Sequence, residues 1–81
     1  MGRRDLPGQL QPKVLIAFLL ERGFTFEKSE GDHKLYRKPG WGRVSVPDKP
    51  ISTSRGGYVF RNILDATGTT RQDFTTWLKE R

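Results

Sequence analysis

A chain of 81 residues with an apolar fraction of 33%, nine aromatics and no cysteine has room for one domain, and it excludes both a disulfide framework and a thiolate metal site. His33 is the only histidine, which removes Cys/His zinc sites and any two-histidine acid–base pair. No tight Asp/Glu cluster suggests magnesium, so neither a metal nor another cofactor is expected. The formal charge of +6 is unevenly placed: residues 33–64 hold Lys34, Arg37, Lys38, Arg43, Lys49, Arg55 and Arg61 against Asp48 alone, and the rest of the chain has eight charges of each sign. Such a segment is the footprint of polyanion binding, since each neutralised phosphate releases condensed counterions. The alternative is a solvated cationic face kept for solubility.

Residues 1–11 combine two arginines, Pro7, two glycines and two glutamines, a composition that buries little and reads as a flexible leader outside the core. Arg3 and Arg4 ahead of residues 14–20 imitate a signal peptide. Asp5, Pro7, Gly8 and Pro12 interrupt the approach, no small-residue cleavage site follows, and seven apolar residues cannot span a bilayer. A soluble, cytoplasmic protein with no membrane partner is expected. From Pro12 a run of apolar residues predicts a first helix, with proline at its first position and Gly23 as its stop. It is apolar around most of its circumference and must be covered by other elements.

Phe24-Thr25-Phe26-Glu27-Lys28 alternates with period two and predicts a strand with both phenylalanines on one face. Ser29-Glu30-Gly31-Asp32 reads as a turn, residues 33–38 as a second strand, Pro39-Gly40-Trp41-Gly42 as a turn, and residues 43–46 as a third strand ended by Pro47. Residues 47–57 read as a loop. A second helix is predicted over residues 58–66 with Gly68 as its stop. A short third one follows, capped at Thr70 with Asp73 in the Glu/Gln place of a capping box. The order α-β-β-β-α-α predicts an α+β domain over residues 12–81, a three-stranded antiparallel sheet covered on one face by helices.

On chemical grounds His33 begins a strand just after a turn, inside the most basic part of the sequence, and an imidazole there can act as acid or base near neutral pH. The other reading is a surface or structural histidine. Asp32 could orient it, and a leaving oxygen could take its proton from water, from His33 itself after a proton relay, or from Lys34 or Tyr36, with Lys34 the better of the two side chains. Lys34 and Arg37 lie on opposite faces of an ideal strand, as do Leu35 and Tyr36, and one of the latter pair must pack against the helices. Trp41 is either an exposed aromatic on which an unpaired base stacks or a turn residue folded back over the sheet. Phe74 and Trp77 are at helical spacing and read as core. Gly56-Gly57 reads as a flexible joint, with phosphate binding at the following helix as the weaker alternative.

The order of helix, three-stranded meander and helix resembles that of double-stranded-RNA-binding domains, and the residues resemble the HicA toxin family more closely. Leu19-Leu20-Glu21-Arg22-Gly23-Phe24 is similar to the family's first-helix end, and Gly31-Asp32-His33-Lys34-Leu35-Tyr36-Arg37-Lys38-Pro39 to its glycine-to-histidine strand. Val44-Ser45-Val46-Pro47 is similar to its third strand, and Phe60-Arg61-Asn62-Ile63-Leu64-Asp65-Ala66-Thr67-Gly68 to its second helix. The likeness covers roughly residues 13–78. Many family members carry a second histidine after the strand-three proline, where this chain has Asp48 or Lys49. The resemblance implies a metal-independent endoribonuclease that cleaves mRNA, with His33 catalytic and a HicB-type antitoxin as protein partner. The basic segment and the turn aromatic then offer RNA contacts from Lys34, Arg37, Lys38, Trp41, Arg43, Lys49 and Arg55, with Gly31, Asp32 and Tyr36 in support. A non-catalytic RNA-binding module of the same fold is the competing expectation, and a protein-interaction domain with incidental charge is the third.

Overall fold

A computed structural model of the chain describes residues 6–54 and 56–81. Its elements are β1 (Gln9–Leu10), α1 (Pro12–Glu21), β2 (Thr25–Glu30), β3 (His33–Lys38), β4 (Gly42–Pro47), β5 (Ile51–Ser52), α2 (Tyr58–Thr67) and α3 (Arg71–Lys79). The class is α+β. Strands β2, β3 and β4 form an antiparallel sheet with β3 in the middle, and β1 pairs with β5 in a separate two-stranded ladder.

Local signals set the helix ends. Pro12 opens α1, whose extended N-cap Gln11 makes no side-chain cap. The Thr70 side chain accepts the N–H of Asp73 at 3.0 Å and caps α3, satisfying a donor that helix geometry leaves without a partner. Alternation along the strands then sorts the two faces of the sheet. Tyr36, Val44 and Val46 join Leu15, Phe18, Leu19, Phe60, Ile63 and Phe74 in the core. In the centre Phe74 of α3 packs edge-on against Phe18 of α1 and Phe60 of α2, with ring centroids 4.8 and 5.1 Å apart. Three helices are thereby joined through one ring, the kind of contact that adds to the area an aromatic buries. Trp77 packs on Phe18 as well, and its indole N–H donates to Glu21 at 2.8 Å.

Three expectations change. The leader expected over residues 1–11 is partly in the fold: residues 1–5 lie outside the described residues, but Gln9 and Leu10 form β1, and Leu10 is 3% exposed within the core. The expected loop over residues 47–57 supplies the partner strand, with Leu10 in register with Ile51 and Thr53 donating its hydroxyl to Pro7 O. Burying Leu10 against Ile51 outweighs the poor composition of the segment, a tertiary gain that local pattern does not register. Finally, Phe24 is buried whereas Phe26 is half-exposed on the edge strand, its ring set edge-on to Tyr36. Among the described residues no helix is long and apolar enough to cross a membrane.

Candidate functional site

His33 stands at one end of the sheet. Glu30 and His33 pair directly across a two-residue turn, tighter than the four residues expected. Gly31 takes φ 58° there, a left-handed value that a residue with a side chain adopts at a cost. On the other side His33 is in register with Pro47, and the Asp48 N–H donates to Asp32 O at 2.7 Å. The turn is thus tied to the chain leaving β4. The imidazole is exposed and makes no hydrogen bond or ion pair among the described residues, so the Asp32 carboxylate does not hold it.

Alternation sends the neighbours of His33 to opposite faces. Lys34, in register with the buried Val46, points to the helix-covered side and is half-buried. It lines a groove of about 390 Å³ with Gln11, Pro12, Lys13 and Ile16 of the α1 start and with Val46, Pro47 and Asp48. This groove joins the His33 end through Pro47. Lys13 is a candidate that sequence reasoning missed, since it lies outside the basic segment and only the packing of α1 on the sheet brings it to Lys34.

Tyr36 is on the Lys34 side and is a core residue at 5% exposure. Burial raises its phenol pKa, and its position inside the core excludes it as proton donor to a leaving group. Leu35 is also buried, on the other face. Both members of the pair are therefore covered, where one was expected to be. The Leu35 neighbours in register are Lys28 and Ser45. Beside it Glu27, the extra residue where the β2 register shifts, reaches across β3 to Arg43 of β4, with Arg43 Nε 2.9 Å from Glu27 Oε1 and Nη2 donating to Oε2 at 3.1 Å. Oε1 is sheltered from solvent and receives no aligned hydrogen bond, so its contact with Arg43 is an ion pair and Oε2 takes the directed bond. Arg37, in register with Arg43, is exposed on the same face as His33.

Other basic residues are dispersed. Lys38 lies at the far end of β3, five strand steps or roughly 17 Å from His33, where its ammonium donates to Arg22 O at 2.7 Å and stands 5.3 Å from the Trp41 ring. One edge of the Trp41 indole rests against Gly68 at the end of α2, and the residue is still 49% exposed. Lys49 is exposed just beyond the groove. Arg55 lies outside the described residues. Arg61 belongs to the helical layer, in a cleft of about 410 Å³ with Asp65 and Arg71, and Arg71 is held there by Thr53 O at 2.7 Å. Gly57 is a tight joint into α2, because a Cβ would stand 3.0 Å from Ser52 O. The basic segment therefore does not form one patch.

No family model, curated protein or solved structure matches the chain. What bears on function is the geometry at the His33 end of the sheet. An unencumbered imidazole lies one strand position from a lysine-lined groove, with Arg37 on its own face. Among the described residues no three His, Asp or Glu side chains are grouped as metal ligands.

Proposed function

We propose that this protein is an endoribonuclease of the HicA type, the toxin of a toxin–antitoxin pair acting on mRNA in the cytoplasm. The observation that carries the reading is the exposed, unpaired His33 imidazole beside a groove with two lysines. His33 removes the proton of a ribose 2′-hydroxyl, and that oxygen attacks the adjacent phosphorus. The bond to the 5′-oxygen breaks, leaving a 2′,3′-cyclic phosphate and a 5′-hydroxyl that takes its proton from water or from the imidazolium. Arg37, on the His33 face, offsets the charge that builds on the phosphate oxygens. No step needs a metal. Lys34, on the other side of the strand, holds backbone phosphate and is not the proton donor.

A HicB-type antitoxin would cover His33 and the strand beside it, presenting carboxylates where phosphates would lie. The competing reading, RNA binding without cleavage, is favoured by one observation: among the described residues no side chain orients the imidazole. Incubating the purified chain with a structured mRNA in EDTA separates the two. Cleavage by wild type with cyclic-phosphate ends, abolished in His33→Ala while RNA affinity persists, is the expected result. An alanine variant that cuts at the wild-type rate, or 3′-hydroxyl products that require magnesium, would refute the nuclease mechanism.

A further inference from the structure

The groove at the start of α1 has a charge pattern that its packing does not require. Lys13 comes from the helix and Lys34 from the central strand, and both line the same hollow as Val46 and Pro47. Neither lysine makes an ion pair among the described residues. Lys13 is exposed and Lys34 half-buried, so both ammonium groups add to one positive potential at the mouth of the groove, which a bound anion would offset. The helix end adds little itself, since Pro12 has no N–H and the Val14 N–H is donated to Gln11 O at 3.0 Å. Among the described residues Asp48 is the sole acid lining the groove, which leaves their charges at one net positive unit.

The position of the groove gives it a use. Its rim residue Pro47 is the strand partner of His33, and Lys34 is the next residue after His33. An RNA backbone passing the end of the sheet would set one phosphodiester beside the imidazole and a neighbouring one over the groove. We infer that Lys13 and Lys34 form a phosphate subsite that holds the RNA backbone next to the scissile linkage, an inference that rests on the nuclease reading above. The site would then recognise backbone and not base, because every polar group that the lysines offer is a point-charge donor suited to phosphate oxygens. Asp48 opposes the anion and limits how tightly the product is kept.

The test uses the full chain and a short single-stranded oligonucleotide with 2′-fluoro riboses, which binds but lacks the hydroxyl that cleavage needs. Affinity is followed by fluorescence anisotropy over a range of salt. Lys13→Ala should lower the slope of log affinity against log salt by about 0.7, the value for one lost single-strand phosphate contact, and Lys13→Ala with Lys34→Gln by about 1.4. Asp48→Asn should raise affinity, a change of opposite sign that a merely structural role for the groove would not produce. Lys79→Ala, on α3, should leave the slope unchanged. A slope in Lys13→Ala no lower than in Lys79→Ala overturns the subsite. Cleavage of unmodified RNA, scored separately, keeps the two ideas apart. Cleavage with no change of slope defeats the groove and spares His33, and the expected slopes without cleavage do the reverse. Failure of the wild-type chain to bind the oligonucleotide defeats both.

Discussion

Replacing Glu27 by glutamine should strengthen RNA binding, although Glu27 itself contacts no phosphate in the proposed complex. Arg43 and Glu27 meet across β3 at 2.9 and 3.1 Å, with side chains 54% and 24% exposed. An ion pair this open to solvent contributes about 0.2–1 kcal/mol. The variant should therefore fold, with a melting midpoint lowered by at most about 8 °C for a domain of this size. Its effect on charge is larger. Arg37, Arg43 and Glu27 together present one net positive charge on the His33 face, and Glu27→Gln makes it two. A released Arg43 that takes up one more phosphate steepens the salt slope by about 0.7, so a roughly fourfold rise in salt weakens binding by an extra factor of about 2.6. Arg43→Gln, which removes a charge already matched, should leave the slope nearly as in wild type. Anisotropy titrations of the three proteins with the uncleavable oligonucleotide at several salt concentrations give the answer. If Arg43→Gln alone drops the slope by a full contact while Glu27→Gln changes nothing, Arg43 binds RNA despite its partner and the reasoning fails.

Leu10→Ala should cost about 2–5 kcal/mol in urea unfolding, the range for truncating a buried leucine, and a loss under about 0.5 kcal/mol would show that β1 is not part of the core. Thr70→Ala should destabilise by about 1 kcal/mol through loss of the α3 cap, and Thr70→Ser should restore most of it. Arg37→Glu should weaken both RNA and a HicB-type antitoxin, measured by parallel titrations, because the proposal gives both ligands the same face. Normal antitoxin binding by that variant would move the inhibitory contact elsewhere.

Several features were legible from the residues alone because the forces behind them act over a few positions. Pro12 and Thr70 mark helix starts through backbone donors within one turn, and the alternation from His33 to Lys38 separates two faces whatever packs on them. For the same reason the three-stranded meander and the α+β class could be read in advance, and His33 could be placed at the start of a strand. What the tertiary structure decided involves partners far apart in sequence. Leu10 finds Ile51 across forty residues, and two-residue strands carry no periodicity that would announce such a pairing. Charge is the sharper case. Summed along residues 33–64 it looks like one basic surface, yet Glu27 from the edge strand neutralises Arg43, Lys38 is spent on a carbonyl at the end of α1, and Arg61 goes to the helical layer. Lys13, outside that segment, is carried to Lys34 by the docking of α1. Electrostatic energy depends on distance through space and on exposure, and neither exists until the chain has folded.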